Sequence, residues 1–158
     1  MPNSTLIPID GIIQNISTPT DDCCQQQVTI RNSQGVYNFM VDADTYIVGS
    51  IRLRPGMTVA AFYDGNVAVP LVYPPQYQAV IISRRSPGEN IYAGYFPEDL
   101  VTEDQSLALN IGTSTEVVTA NGQTFHCNPG GHMLIVYYSS TTRSLPPQTT
   151  PRKVIVLC

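Results

Sequence analysis

The chain contains no tryptophan, and only 13% of its residues are charged. Its polarity comes instead from Ser, Thr, Asn and Gln, which suit strands and turns better than long helices joined by ion pairs. Basic residues are scarce, since 8 Lys and Arg stand against 12 Asp and Glu, for a net charge of −4. Phosphate binding needs clustered basic residues, and the sequence offers only Arg84-Arg85. We therefore expect no nucleic-acid partner.

Long apolar runs are also missing. No stretch approaches the roughly 18 consecutive apolar residues of a membrane-spanning helix. The opening residues, MPNSTLIPID, lack the basic start and the apolar core of a signal peptide. We expect no membrane insertion and, by default, a cytoplasmic location, with the cell envelope as the open alternative.

Cysteine is too scarce for a disulfide framework, so we expect reduced thiols at its four positions: Cys23, Cys24, Cys127 and Cys158. Two histidines, His126 and His132, offer further soft ligands, but no C-x-x-C spacing is present and a Pro-Gly-Gly turn separates the histidines. The spacing therefore favours a chain without a metal. Because the sequence also lacks a P-loop and a dinucleotide-binding fingerprint, we expect no other cofactor.

The residues that are abundant indicate strands. Hydrophobic residues make up 42% of the chain, and 13 Pro and 11 Gly punctuate short runs rich in Val, Ile, Tyr and Phe. We predict strands near residues 11–17, 27–32, 36–41, 45–48, 57–64 and 78–84. The best helical candidate is the short stretch PEDLVTE at 97–103, because Pro and acidic residues suit a first helical turn.

Two halves of the chain repeat each other in order. Pro55 of RPG precedes Pro129 of NPG by 74 residues, and the two Pro-Pro-Gln motifs lie 72 residues apart. The sequence aligns Tyr63 with Tyr137 in the same way. We predict an all-β chain of two tandem, closely packed OB-like barrels, residues 1–86 and 87–158. Close packing is expected because MLIVYY at 133–138 is apolar on both faces and needs cover on both.

The run MTVAAFYDGNVAVPLVYPPQYQAVII at 57–82, with its echo STTRSLPPQTTPRKVIVL at 140–157, resembles an uncharacterised family of Clostridia-type bacterial proteins. That family has two tandem OB-like repeats, and some members are joined to copper amine oxidase N-terminal-like domains. The resemblance covers most of the chain and implies no activity. Copper belongs to the neighbouring module and is not expected here.

Tyrosines of the first half are the candidate ligand-binding residues. If the loop between the last two strands carries Tyr73 and Tyr77, these rings border the face on which OB barrels hold extended ligands, close to Tyr37 and Tyr63. Ordinary core packing explains the same rings equally well. Since the chain is acidic, stacking would suit a peptide or a glycan better than a nucleic acid.

We therefore expect a non-catalytic binding or structural module with a protein, peptide or glycan partner, and its oligomeric state is left open. The competing hypothesis is an enzyme with an unrecognised active site in the cleft between the halves. Two other patterns have ordinary explanations. PPQY at 74–77 matches a WW-domain ligand but runs into a predicted strand, and Asp42 with Asp44 is more typical of a turn cap than of a cation site.

Overall fold

The computed structural model describes residues 6–19 and 21–158, and this part of the chain is all-β. It contains thirteen strands and one short 3-10 turn, Val48–Ser50. Contacts divide it into two compact units, residues 6–86 (unit 1) and Pro87–Cys158 (unit 2). The first five residues of the predicted first domain lie outside the described part.

Unit 1 holds seven strands in one sheet. They are β1 Leu6–Ser17, β2 Gln26–Asn32, β3 Gly35–Val41, β4 Tyr46–Ile47, β5 Thr58–Asp64, β6 Gln76–Gln78 and β7 Ile81–Arg84. Their order is β4-β7-β5-β1-β2-β3-β6. The buried core of the unit includes Ile13, Val28, Ile30, Phe39, Val59 and Ile82. Alternation along the strands explains this core, since every second side chain points to the same face.

The long strand β1 makes the sheet of unit 1 continuous. Its first part, Leu6 to Ile12, pairs with β5, and its last part, Ile12 to Ser17, pairs with β2. A register shift between Ile13 and Asn15 marks a bulge, which bends a strand locally. Gly11 lies close against β2, and a Cβ there would lie 2.6 Å from Arg31 O. Only glycine allows this approach.

Unit 2 holds six strands in two sheets. They are β8 Asn90–Phe96, β9 Ala108–Leu109, β10 Glu116–Thr119, β11 His132–Tyr138, β12 Gln148–Thr149 and β13 Lys153–Leu157. One sheet has the order β10-β13-β11-β8, and β12 pairs with β9 separately. The core includes Phe96, Leu107, Leu134, Val136, Val154 and Val156. In β11, the consecutive residues Leu134, Ile135 and Val136 are all buried, so that strand is covered on both faces.

The two units share one pattern of strand pairing. The order β4-β7-β5-β1 in unit 1 matches β10-β13-β11-β8 in unit 2, with the parallel pair first and two antiparallel pairs after it. The parallel pair β3 with β6 likewise matches β9 with β12. Side chains agree as well, because Thr45 Oγ1 donates to Ala79 O at 2.8 Å and Thr115 Oγ1 to Pro151 O at 2.7 Å.

The register corrects the alignment of the halves by one residue. Gly56 N donates to Ile13 O in β1, and Gly131 N donates to Phe96 O in β8, each at the turn that starts the long strand. When residues are counted along β5 and β11 from these glycines, the counterpart of Tyr63 is Tyr138 and not Tyr137. By the same count, Pro55 corresponds to the residue after Pro129.

The prediction that each half closes into a barrel is wrong, since no sheet formed by the described residues closes. In unit 1 the break lies between β6 and β7, where Ala79 N donates to Met40 O of β3 and Val80 N to Phe62 O of β5. The chain thus leaves one neighbour and joins another within two residues, and β6 remains an edge strand. In unit 2 the pair β9 with β12 forms a sheet of its own.

The helical candidate at 97–103 is also wrong. Leu100 N donates to Pro97 O at 2.9 Å, so residues 97–100 form a turn. Leu100 itself has a φ of 63°. That positive φ stops a right-handed helix. The Thr102 hydroxyl then accepts hydrogen bonds from Ser106 N and Leu107 N. Among residues 6–19 and 21–158, no helix has the length and hydropathy needed to cross a membrane.

Candidate functional site

A cavity of about 380 Å³ lies in unit 1 beside the end of β5, β6 and the loop that joins them. Apolar side chains supply most of its lining: Met40, Val67, Ala68, Val69, Pro70 and Val80. Two aromatic residues, Tyr63 and Tyr77, and three polar residues, Asp64, Gln76 and Gln78, complete the described lining. A cavity of this size and composition is typical of a ligand site.

Tyr63 and Tyr77 form one wall of this cavity. Their ring centroids lie 3.8 Å apart and the ring planes differ by 8°, so the two rings are stacked. Phe39, which is fully buried, contacts both, with centroid distances of 6.4 Å to Tyr63 and 5.5 Å to Tyr77. This packing anchors the stack on the core of unit 1 and leaves the tyrosine rings at its boundary.

Burial raises the pKa of Tyr63 above its ordinary value, and a side-chain hydrogen bond with Tyr77 raises this pKa further. The negative charge that Tyr77 or Tyr37 would acquire on ionisation acts in the same direction. The Tyr63 phenol therefore stays protonated at neutral pH and serves as a hydrogen-bonding group rather than a base.

The structure brings two of the four candidate tyrosines together. Tyr63 and Tyr77 line the cavity, whereas Tyr37 packs as a partly buried side chain against the core of unit 1. Tyr73 is 83% exposed and lies outside the described lining. The PPQY motif is not a free tail, because Tyr77 belongs to β6 and pairs with Phe39 in β3.

The backbone of β6 is the second feature of this site. In its parallel pairing with β3, Asn38 N donates to Pro75 O and Ala79 N donates to Met40 O. In a parallel ladder, alternate residues face the partner strand, so the N–H and C=O groups of Gln76 and Gln78 point to the outer edge. Within the described chain these outward groups have no hydrogen-bond partner.

Unit 2 has a smaller cavity, of about 290 Å³, at the corresponding place beside β12. Its described lining consists of hydroxyl and amide side chains: Asn110, Ser140, Thr141, Thr142, Gln148, Thr149 and Thr150. Asn110 Nδ2 lies 3.3 Å from Gln148 Oε1, and Thr149 Oγ1 donates to Ser140 O at 2.6 Å. The loop after β11 is thereby tied to β12 by its own polar groups.

The loop between β5 and β6 exposes apolar side chains next to the unit 1 cavity. Leu71 is fully exposed, and Val67, Val69 and Val72 are each exposed by about half. No charged residue occurs between Gly65 and Ser83. The peptide bonds that lead into the two Pro-Pro-Gln motifs, Tyr73-Pro74 and Leu145-Pro146, are both cis, and the side chains of Tyr73 and Leu145 are both exposed.

The remaining candidate groups of the sequence are separated in the structure. Asp42 Oδ1 accepts from Asp44 N at 2.9 Å and so caps a turn. All four cysteines are exposed. His132 Nδ1 lies near Pro129 O and Gly130 O. Over residues 6–19 and 21–158, no three His, Cys, Asp or Glu side chains come close enough together to hold a metal ion.

Sequence reasoning did not identify the loop after β5 or Met40 as part of the site. The uncharged run from Gly65 to Ser83, which is rich in valine and proline, was the available signal. Such a run is equally typical of a buried strand and of a loop, and the sequence alone does not distinguish the two. Gln76 and Gln78 gave no signal, because their role rests on the direction of backbone groups.

Comparison with known proteins adds no relative: no family model, no curated protein and no solved structure matches this chain. The resemblance to the Clostridia-type family therefore stays a hypothesis.

Proposed function

We propose that this chain is a non-catalytic binding module whose unit 1 cavity holds a side chain of an extended peptide. The observation that carries the proposal is the cavity itself, about 380 Å³ in volume and walled by the Tyr63–Tyr77 stack. Ligand sites are typically concave and mostly apolar, with a few polar groups that fix orientation. Here Asp64, Gln76 and Gln78 are those polar groups.

The chemistry of the lining favours an apolar side chain as the group that enters. Six of the lining side chains are aliphatic, proline or methionine, and Asp64 is the only carboxylate among the described ones. Burial of an apolar side chain contributes about 1.5–3 kcal/mol without a specific partner. An acidic ligand is disfavoured, because Asp64 lies in the lining and the chain carries a net charge of −4.

A peptide is favoured over a glycan by the arrangement of the rings. Sugars bind on open aromatic faces, and the stacked pair Tyr63 and Tyr77 covers one face of each ring. A glycan remains the second candidate because Tyr73 is 83% exposed and its ring is free of aromatic partners among the described residues. The exposed Val67 and Val69 beside the cavity again suit a peptide.

The competing class, an enzyme, receives no support from Tyr63 in this cavity. A general base at neutral pH needs a pKa near the working pH, and the pKa of Tyr63 is raised from a value that is already high. We also propose that the partner is not a nucleic acid, since 12 acidic residues oppose 8 basic ones.

We further propose that the two units descend from one duplicated unit. The support is the common order of four strands and the matching threonine bonds, Thr45 to Ala79 O and Thr115 to Pro151 O. The two cavities occupy corresponding places but differ in chemistry, apolar in unit 1 and hydroxyl-lined in unit 2. On this proposal, binding of apolar groups belongs to unit 1 alone.

The test is a selection with a display library of random twelve-residue peptides on the immobilised full chain, followed by fluorescence anisotropy titrations of the enriched peptides. We expect enriched sequences rich in apolar residues and poor in Asp and Glu. Ala68→Trp, which places a large ring at the exposed cavity rim, should weaken their binding at least about tenfold. The matched control, Thr113→Trp on an exposed turn of unit 2, should leave binding unchanged. Failure to enrich any sequence, or equal binding to Ala68→Trp, would reject the proposal.

A further inference from the structure

The two cavities are lined by corresponding strands. The hydrogen bonds around one cavity can therefore be compared with those around the other. Each cavity lies beside a short strand that pairs parallel with the corresponding neighbour: β6 with β3 in unit 1 and β12 with β9 in unit 2. Asn38 pairs with Gln76, and Ala108 pairs with Gln148. The backbone bonds agree, because Asn38 N donates to Pro75 O and Ala108 N donates to Pro147 O. Gln148 is therefore the counterpart of Gln76.

In unit 2 the outer edge of this strand is occupied by the chain's own loop. Thr142 N donates to Gln148 O at 2.8 Å, and Gln148 N donates to Thr142 Oγ1 at 3.0 Å. One residue thus satisfies both outward backbone groups of Gln148. This is the exchange of two bonds that opposite residues make in the hydrogen-bonded pair of an antiparallel ladder, with a side-chain oxygen in place of the carbonyl.

In unit 1 the same edge is open. Counted from the turn glycines, the counterpart of Thr142 is Val67, which has no hydroxyl to offer, and its N–H donates to Asp64 O at 3.2 Å. The outward groups of Gln76 and Gln78 have no partner among the described residues. Native proteins usually cover or blunt such edges, since an open edge pairs readily with another strand. Here the open edge lies beside the apolar cavity.

We infer that unit 1 binds its peptide by strand addition: an extended, uncharged segment pairs antiparallel with the outer edge of β6, opposite Gln76 and Gln78. This inference rests on the proposed function. One residue of the ligand donates its N–H to Gln76 O and accepts from Gln76 N, as Thr142 does at Gln148 in unit 2. A second residue does the same at Gln78.

The register assigns the ligand's side chains as well. The residue between those two stands opposite Tyr77, and opposite residues of a ladder direct their side chains to the same face. Its side chain therefore meets the face of the Tyr63–Tyr77 stack, where an apolar or aromatic group fits. Unit 2 takes no such ligand, because Thr142 already holds the edge of β12.

The first measurement is amide hydrogen exchange by NMR on the full chain. Without ligand, Gln76 and Gln78 should exchange fast, whereas Gln148 should be protected by its bond to Thr142. Thr142→Val should remove the protection of Gln148 at least in part, since the accepting hydroxyl is lost. With the tightest peptide of the library selection at saturation, Gln76 and Gln78 should gain at least about tenfold protection.

The second measurement is an N-methyl scan of that peptide by anisotropy. Methylation of the residue opposite Gln76 or Gln78 should weaken binding about tenfold, because each N-methyl group removes one backbone hydrogen bond. Methylation of the residue opposite Tyr77, whose N–H points away from β6, should change binding by less than about twofold. This alternation is the signature of strand pairing and does not depend on the stability of any protein variant.

The outcomes separate this inference from the proposed function. If an enriched peptide is blocked by Ala68→Trp but tolerates every N-methyl group and leaves Gln76 unprotected, the cavity binds peptides and strand addition is wrong. If Gln76 becomes protected without peptide as the protein concentration rises, the occupant of the edge is a second copy of the chain, and the inference is overturned. If no peptide is enriched, both proposals fail.

Discussion

Arg152 and Glu89 form a bidentate ion pair in unit 2. Arg152 Nε donates to Glu89 Oε2 at 2.8 Å and Arg152 Nη2 to Glu89 Oε1 at 3.0 Å. The Glu89 side chain is 11% exposed and the Arg152 side chain 58% exposed. Arg152 also lies over the Tyr137 ring, 5.4 Å from its centroid. The carboxylate is thus the partner that depends on the pair, because the guanidinium still reaches water.

This asymmetry predicts unequal costs of removing the two partners. Arg152→Ala should lower the free energy of unfolding by about 2–3 kcal/mol, because it leaves a nearly buried carboxylate without its donors. Glu89→Gln should cost about 1 kcal/mol, since the freed guanidinium is solvated. Urea denaturation followed by circular dichroism measures both.

The control is Glu116→Gln, because Glu116 is exposed and interacts electrostatically with the same Arg152 guanidinium. Its cost should stay below about 0.5 kcal/mol. If Glu89→Gln lowers the free energy of unfolding more than Arg152→Ala does, then Glu89 is not the partner that relies on the ion pair.

At the scale of elements, one threonine in each unit connects two strands by a hydrogen bond. It lies in the turn before the short strand β4 or β10, and its hydroxyl donates to a carbonyl just before β7 or β13. Thr45 Oγ1 donates to Ala79 O and accepts from Asp42 N at 3.2 Å. Thr115 Oγ1 donates to Pro151 O and accepts from Gly112 N at 3.4 Å. Each hydroxyl thereby joins the parallel pair, β4 with β7 or β10 with β13, at its start.

Thr45→Val and Thr115→Val should therefore destabilise the protein by similar amounts, about 1–2 kcal/mol each. Valine keeps the shape of threonine but leaves one carbonyl and one N–H without the hydroxyl. The exposed Thr113→Val, on the same turn as Thr115, should change the free energy of unfolding by less than about 0.5 kcal/mol. Chemical denaturation of the three variants checks this, and a neutral Thr45→Val beside a costly Thr115→Val would argue against equivalent roles.

Strand existence was predictable from the sequence, and register was not. Runs such as TVAAFYD in β5 carry enough β-branched and aromatic residues between turn signals to indicate a strand. The shift from Tyr137 to Tyr138 as the counterpart of Tyr63 depends on where Gly56 and Gly131 pair, which a comparison of letters does not contain. A shift of one residue exchanges the faces of a strand.

The site was predictable only in part for a related reason. Tyr63 and Tyr77 were identifiable as aromatic residues near turns, and they do line the cavity. Tyr37 and Tyr73 had the same sequence signal, yet one packs on the core and the other is exposed. The interruption of the last strand at Ala79 and Val80, which leaves β6 at an edge, arises from tertiary hydrogen bonds.

At the scale of the whole molecule, tyrosine ionisation links stability to pH. Burial raises the pKa of Tyr46, Tyr63, Tyr92 and Tyr138 above the ordinary tyrosine value. A group whose pKa is raised by folding binds its proton more tightly in the folded state. Its contribution to stability is complete below the unfolded pKa, near 10, and disappears as the pH rises through the folded pKa.

The free energy of unfolding should therefore fall as the pH rises above about 10, and urea denaturation from about pH 8 upward measures it. Tyr63→Phe removes one of the four groups and should make the fall shallower. A free energy of unfolding that does not fall above about pH 10 would contradict the shifts.

The position of the last strand of each unit bears on the order in which the protein is synthesised. β7 lies between β4 and β5, and β13 lies between β10 and β11, yet each follows both of its neighbours along the chain. On the ribosome, β4 and β5 emerge before the strand that joins them, and the sheet of unit 1 is complete only once Arg84 has left the exit tunnel. Unit 2 repeats this delay until Leu157. Until then the apolar β11 has no strand on its β13 side, so the emergence of β13 decides when that surface is protected from aggregation.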